Sequence, residues 1–194
     1  MESSRKLRAD AQENRDRILT AARQLFAERG LGVGMREVAR RAEVGPATLY
    51  RRFPTRRALI DEAFAVELGL CGDIVETGCA DPDPWRGFAD VVERLTVLNA
   101  SNRGFVDAFM AVEQPEDVFA EHRSRLLTML TLLARRAQAQ GRLRADFIID
   151  DLVLVLIAGR GLATVGADTR DVAARRFAML AVDAFRHQDA NVPH

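Results

Sequence analysis

Apolar residues recur at helical spacing along almost the whole chain. Between residues 14 and 29 they fall at i, i+4, i+7 and i+8, which predicts one amphipathic helix. This stripe consists of Ile18, Ala22, Leu25 and Phe26. Gly30 stands where a glycine commonly follows a helix end. Residues 1–12 are polar and charged without such a stripe, so we expect a mobile basic arm ahead of the helix.

Three shorter helices are predicted next. The first covers Met35–Ala42, and the second starts at Pro46, whose missing N–H is harmless at a first helical position. That helix ends at Phe53, because the following proline cannot continue it. Thr55 is a suitable N-cap for the third helix. Its apolar stripe is Leu59, Ala63, Val66 and Leu70.

The second half of the chain is also helical in pattern. After a break at residues 80–84 (ADPDP), amphipathic helices are predicted over Trp85–Asn99 and Gly104–Val112. A long helix then runs from Pro115 to about Gln140 and ends at Gly141. Asp150–Val165 is apolar nearly all round, which is typical of a buried helix. A last helix, capped by Asp168 or Thr169, extends to about His187 and points these side chains inward: Val172, Phe177, Leu180, Ala181 and Phe185.

Composition narrows the class of protein. The chain has 194 residues with 28 basic and 28 acidic side chains, but residues 1–57 carry 14 Lys or Arg against 7 Asp or Glu. A basic first third suggests that this end meets a polyanion. The longest apolar run, Leu152–Gly159, is too short to span a membrane, and the N-terminus has no signal-peptide core. Cys71 and Cys79 form no disulfide framework. We therefore expect a cytoplasmic, all-α protein without membrane contact.

Residues 35–53 have the pattern of a helix-turn-helix. Ala39 permits a close crossing of two helices, Val44 fills the turn, and Leu49 anchors the second helix. That helix then presents Ala47, Thr48, Arg51 and Arg52 outward, where a recognition helix meets the major groove. Residues 34–57 hold seven arginines against two acidic residues, which suits a phosphate backbone. The alternative is an ordinary pair of short helices with a solvated arginine face.

Two segments resemble the signature of the TetR family of bacterial transcriptional regulators. They are RILTAARQLFAERG and VARRAEVGPATLYRRFPTRRAL, and the resemblance covers roughly residues 14–65. It implies an N-terminal three-helix DNA-binding domain, a linking helix and a larger helical bundle that dimerises and binds an effector. We accordingly predict an arm at 1–12, the helix-turn-helix domain at 13–57, the linking helix at 58–79, and the effector-binding and dimerisation domain at 80–194.

The resemblance also assigns DNA-contacting residues. It implies that the Tyr50 hydroxyl and Arg56 meet phosphates, that Arg36 reaches a base edge, and that residues 46–48 read bases with arginines at the rim. The predicted set is Gly34, Arg36, Gly45, Pro46, Ala47, Thr48, Tyr50, Arg51, Arg52 and Arg56. Two positions depart from the family pattern. Gly34 replaces a hydroxyl residue, which leaves a phosphate contact through the backbone alone, and Glu43 replaces a glycine before Val44.

Candidates for an effector pocket are large apolar residues and a few polar ones. They are Trp85, Phe88, Asn102, Phe105, Phe109, Met110, His122, Met129, Leu133, Ile157 and Arg160. Arg160 interrupts an apolar helix, and a buried charge needs a partner; an ion pair between helices or at a dimer contact is the alternative to a ligand contact. His122 follows Asp117 and Glu121, so a metal site is conceivable, but a solvated or pocket-edge histidine is favoured.

No catalytic constellation or phosphate-binding loop is present in the sequence, so we expect no enzyme activity, no cofactor and no metal. The predicted function is a homodimeric repressor that binds a palindromic operator in double-stranded DNA and is released by a small apolar or amphipathic effector. The two C-terminal helices of each subunit are expected to form the dimer contact. Two alternatives remain: a small-molecule-binding helical protein or enzyme with a vestigial helix-turn-helix, and an architectural DNA-binding regulator without an effector.

Overall fold

Ten α-helices and one 3-10 turn make up the part of the chain that the computed structural model describes, residues 2–110 and 118–187. The helices are α1 Glu2–Arg29, α2 Met35–Arg41, α3 Pro46–Arg52, α4 Arg56–Ala63, α5 Ala65–Ala80, α6 Pro84–Ser101, α7 Arg103–Met110, α8 Val118–Ala139, α9 Ile149–Gly159 and α10 Ala167–Phe185, with the 3-10 turn at Arg160–Thr164. Within these residues the only β-type pairing is an isolated bridge between Leu143 and Arg186. The all-α prediction is confirmed.

The helices group into two compact units. Residues up to Val66 form the first unit together with α7, and the remaining helices form the second. This division differs from the sequence-based boundaries in two ways. The expected linking helix, 58–79, is two helices that separate at Phe64. The segment that contains α7 was assigned to the C-terminal domain, yet it packs with α1 in the first unit.

The expected arm is helical, because α1 begins at Glu2 rather than near Asn14. Residues 2–13 contain no glycine or proline and several strong helix formers, so nothing stops the helix from continuing. The absence of an apolar stripe therefore did not predict the absence of a helix. The predicted stripe from Ile18 to Phe26 is buried, and Gly30 ends the helix with a φ of 76°.

The first unit has its core between α1 and the helices that pack on it, α2, α4 and α7. Phe64 is buried, with its ring 5.9 Å from the Phe26 ring and 6.1 Å from the Phe105 ring. Arg23 of α1 donates a hydrogen bond to the Ala63 carbonyl, 2.6 Å away. Because the helix breaks at Phe64, the apolar register restarts in α5. Val66 and Leu70, expected to be inward, are therefore exposed.

The second unit is built around α6. The N-terminal end of α6 holds an aromatic cluster. The Phe88 ring lies 5.4 Å from the Phe147 ring and 6.2 Å from the Phe185 ring, and Trp85 stacks on Phe88 at 6.2 Å. Asp83 caps α6 by accepting hydrogen bonds from the backbone N–H groups of residues 85 and 86. Where α5 crosses α6, a Cβ on Gly78 would lie only 2.8 Å from the Gly87 carbonyl oxygen. Glycine is thus required for this crossing.

The last two helices differ from their prediction. In α9, only Leu152 and Gly159 are buried, and Leu154 is 63% exposed. In α10, Val172 and Leu180 point outward, whereas Phe177 is half-buried. The buried side of α10 consists of Ala174, Ala178, Ala181 and Phe185. The reason is that each helix covers the core with one face only, which leaves an apolar surface uncovered within the chain.

Several helix ends also differ from the sequence pattern. The N-cap of α10 is Gly166 rather than Asp168 or Thr169, and it makes no side-chain cap. The predicted start of the long helix at Pro115 lies outside the described residues, and α8 ends at Ala139, just before Gly141 with its φ of 68°. No described helix is long and apolar enough to cross a membrane.

Candidate nucleic-acid interface

The turn between α2 and α3 is fixed by backbone hydrogen bonds. The Val44 N–H donates to the Ala39 carbonyl at 3.0 Å, and the Ala42 N–H donates to the Val38 carbonyl at 2.9 Å. Glu43 adopts a left-handed conformation with a φ of 55°. Non-glycine residues adopt this region at a cost, which accounts for the glycine that the family resemblance implies before Val44. The chain keeps the sharp turn despite the substitution.

One side of helix α3 packs on the core, and its opposite side is exposed. The Gly45 carbonyl accepts from the N–H groups of Thr48 and Leu49 at 2.9 and 3.1 Å, and Pro46 occupies the first helical position as predicted. Leu49 is fully buried and fixes the helix to the core. The opposite side of α3 is exposed and consists of Pro46, Ala47, Tyr50, Arg51 and Arg52, with Thr48 half-buried at its edge. One short helix therefore presents all six predicted side chains of α3.

The arginines of the first unit fall into two groups. Arg29 and Arg40 pair with Glu37, and Arg41 pairs with Glu28 at 2.9 Å. The hydrogen bond from Arg41 lowers the pKa of the Glu28 carboxyl, which stays ionised. Within residues 2–110 and 118–187, no hydrogen bond or ion pair engages Arg36, Arg52 or Arg56. These three exposed guanidinium groups keep their full capacity for phosphates or base edges.

The remaining predicted contacts lie at helix starts. Gly34 is the N-cap of α2 and its carbonyl accepts from Glu37 N–H at 3.0 Å, without any side-chain cap. Thr55 caps α4 as predicted, since its hydroxyl accepts from the Ala58 N–H at 3.0 Å. Arg56 is the first residue of α4 and is exposed. The ring of Tyr50 is 46% exposed.

The predicted pocket residues are distributed over both compact units. Trp85 and Phe88 belong to the aromatic cluster at the N-terminal end of α6. Phe105, Phe109 and Met110 lie on α7 in the first unit. Ile157 and Arg160 are exposed, so Arg160 is not the buried charge that the sequence suggested. It is the C-cap of α9 and the first residue of the 3-10 turn. On α8, Leu133 is buried and Met129 is half-buried.

Asn102 and His122 are near the beginning of α5. Asn102 donates a hydrogen bond from Nδ2 to Glu67 Oε1 at 2.7 Å. The edge of the His122 ring lies against Gly72, where a Cβ would be 3.4 Å from Cε1. Sequence reasoning missed Glu67, because its partner is 35 residues away and nothing local marks the contact.

No cluster of three or more potential metal ligands occurs in the described part of the chain. The two cysteines are separate packing residues. Burial raises the pKa of the Cys71 thiol to about 12, and the Cys79 thiol, whose pKa is also raised, is 3.7 Å from the Met129 carbonyl. Neither thiol has the lowered pKa of a reactive cysteine.

Helices α1 to α3, with one face of α3 exposed and with arginines that form no ion pair among the described residues, define a helix-turn-helix DNA-binding protein. Comparison with known proteins agrees. Residues 18–63 match the family model described as "Bacterial regulatory proteins, tetR family", and residues 83–187 match that described as "Transcriptional regulator SbtR-like, C-terminal domain". The chain belongs to the TetR family of transcriptional regulators.

Individual relatives support this membership. A TetR transcriptional regulator from Streptomyces coelicolor is 32% identical, with 90% of this chain and 99% of that chain covered and a TM-score of 0.54. The TetR transcription regulatory protein of Mycobacterium vanbaalenii is 31% identical over 93% and 99% of the two chains, with a TM-score of 0.51. The transcriptional regulator UidR of Escherichia coli is 38% identical over 55 residues, and this stretch spans 28% of each chain.

Proposed function

We propose that this regulator is a cytoplasmic homodimeric repressor that binds a near-palindromic operator and is released by a small amphipathic effector. The observation that carries the proposal is the open face of α3 from Pro46 to Arg52, together with exposed Arg36 and Arg56, which form no ion pair within the described residues. In this proposal Arg36 and Arg51 read base edges. The phosphate contacts come from Gly34, Gly45, Tyr50, Arg52 and Arg56, and apolar contact from Pro46 or Ala47 reaches a thymine methyl group.

The proposed dimer is supported by the apolar surface of α9 and α10. Leu154, Ile157, Val172, Met179 and Leu180 are exposed within one chain, and their exposed fractions range from 41% to 71%. A second copy would cover this surface symmetrically as a four-helix bundle. Two recognition helices would then meet half-sites about one helical turn, or a multiple of it, apart. An effector that favours another spacing shifts the protein away from DNA.

The proposal is tested by fluorescence anisotropy on labelled DNA that flanks the gene of this protein. We expect sequence-selective binding. The logarithm of the association constant should fall linearly with the logarithm of the salt concentration. A scrambled duplex of equal length and composition is the control DNA. The matched protein control replaces Arg94 and Arg175, which are ion-paired in the second unit, for comparison with replacement of Arg51 and Arg52. Equal binding to both duplexes would contradict the repressor proposal and favour a vestigial helix-turn-helix.

A further inference from the structure

Two buried hydrogen-bond acceptors near the start of α5 have no partner. One is Oε2 of Glu67, whose other carboxylate oxygen accepts from Asn102. The second is Nε2 of His122, on α8. Buried polar atoms in proteins are nearly always hydrogen-bonded, so each unsatisfied one requires an explanation. Both residues belong to the second unit: Glu67 is in the first turn of α5, and the His122 ring lies against Gly72 of the same helix.

The protonation of His122 follows from its contacts. Its ring forms a hydrogen bond with the backbone of Leu68, and because Nε2 has no partner, the bond comes from Nδ1. A proton on Nδ1 leaves Nε2 with a lone pair, which makes it an acceptor. Burial, together with the nearby positive charge of Arg125, lowers the pKa of His122 and favours this neutral form. Gly72 allows the close approach, since it has no side chain to displace the ring.

The charges around these atoms favour a cation. Arg125 is exposed and is paired with Glu76 at 3.1 Å, so its charge is already compensated. Glu67 has no cationic partner among the described residues, and its carboxylate oxygen Oε2 accepts no hydrogen bond. The buried side of α5 that follows Glu67 is largely apolar and includes Cys71, Ile74 and Val75. An apolar body beside two acceptors fits an amphipathic ligand with N–H donors.

We propose that Glu67 and His122 bind the polar head of the effector, and that this head is a protonated amine attached to an apolar body. The inference rests on the proposed effector response and specifies its chemistry. The amine donates one N–H to Glu67 Oε2 as a charge-assisted hydrogen bond and another to His122 Nε2. A carboxylate of the same shape is rejected, because it would face Glu67 with a like charge and would leave both acceptors unsatisfied.

The experiment compares three probes with the same eight-carbon chain by calorimetry and thermal shift on the full-length protein. Octylamine has charge and N–H donors, octyltrimethylammonium has charge alone, and octanoate has the opposite charge. We expect octylamine to bind most tightly and to raise the melting temperature most, because a ligand of the native state stabilises it. Octanoate binding as tightly as octylamine, or no octylamine binding at millimolar concentration, would overturn the proposal.

Variants locate the binding to these residues. Glu67→Gln keeps a side-chain oxygen for Asn102 but removes the charge, and we expect octylamine affinity to fall roughly tenfold or more. The matched control, Asp73→Asn, removes the same charge from an exposed position of α5 and should leave the affinity unchanged. His122→Phe provides a second variant if Glu67→Gln fails to fold. Unchanged affinity in Glu67→Gln and in His122→Phe contradicts the proposal.

A DNA measurement separates this inference from the proposed function. If octylamine binds as expected and operator affinity is unaffected, the site is present and the effector response is wrong. If operator binding is selective but no amine binds, the repressor proposal stands and the amine site is wrong. Agreement of both proposals requires that octylamine weakens operator binding in the wild type and that Glu67→Gln abolishes this response at the same concentration.

Discussion

Arg51 donates a hydrogen bond from its guanidinium to the hydroxyl of Thr48, 3.3 Å away and one turn earlier on α3. Arg51 is exposed, whereas Thr48 is half-buried and packs at the edge of the helix. The contact restricts a long side chain before any DNA is bound. Such preorganisation lowers the entropy that is lost when the arginine forms a defined contact. In the proposed DNA interface, Thr48 therefore serves to position Arg51.

We predict that Thr48→Val weakens base discrimination. Valine keeps the shape of threonine but cannot accept from Arg51, whereas Thr48→Ser keeps the hydroxyl. Arg51→Ala and Arg36→Ala should each remove roughly 1–3 kcal/mol of discrimination at the base pair that the arginine reads. Thr48→Val should remove part of this discrimination at the base pair that Arg51 reads. Anisotropy against a set of operator variants measures this. Identical discrimination by the valine and serine variants would refute a positioning role for Thr48.

Arg56→Ala should weaken binding to every DNA sequence alike. Arg56 is exposed at the first position of α4 and has no ion-pair partner in the described residues, so its replacement leaves the fold intact. Loss of one phosphate contact flattens the slope of log affinity against log salt by about one unit. Arg94→Ala, which removes an exposed charge from α6, is the control. A selective loss at one base pair would indicate base reading instead.

Leu180→Asp should give a folded monomer that no longer binds the full operator. Leu180 is 54% exposed, so a charge there is tolerated in a single chain but not in the proposed dimer contact. Leu132→Asp on α8, where leucine is 55% exposed, is the matched control and should remain dimeric. Phe177 is half-buried against Gly159, so Phe177→Asp should lower stability in either state. Light scattering measures the oligomeric state and thermal melts measure the stability of each variant. If Leu180→Asp remains a dimer, Leu180 is not part of the dimer contact.

The crossing of α5 and α6 should not accept a methyl group. A Cβ on Gly87 would overlap the Gly78 carbonyl oxygen, and one on Gly78 would overlap Val91. We expect Gly78→Ala and Gly87→Ala each to cost roughly 1–3 kcal/mol or more, because helix backbones must separate. Gly69→Ala, on α5 with no atom within 4 Å of its Cβ, should instead stabilise by about 0.5–1 kcal/mol. Urea unfolding compares them; equal stability of all three would show that the helices are not in contact here.

His122 should make stability depend on pH near neutrality. Its pKa is lowered in the folded state from an ordinary value of 6.5, so the unfolded chain takes up the proton first. The free energy of unfolding should therefore decrease as pH falls below 6.5 and level off once the folded state is also protonated. His122→Phe removes this contribution while leaving the carboxylates unchanged. Urea unfolding between about pH 8 and pH 5 measures the difference; parallel curves for both proteins would contradict it.

Local signals in the sequence were sufficient for the DNA-binding helices. Pro46, Thr55 and Gly30 mark helix ends by their own conformational preferences, and the structure has each of them where expected. The outward faces of α9 and α10 were not predictable, because apolar periodicity cannot distinguish a core from an uncovered surface. The break at Phe64 likewise depends on an aromatic contact with Phe105, 41 positions later in the sequence.

The pairing of α7 with α1 means that the DNA-binding unit cannot be cut from the chain at one point. Gly104 brings α7 so close that its Cβ position is 3.0 Å from the Phe64 ring and 3.2 Å from the Phe26 Cβ. A fragment that stops at Val66 would expose these phenylalanines to water and would favour aggregation. A chimeric regulator that joins this unit to a foreign sensor therefore needs a helix equivalent to residues 103–110 from its new partner.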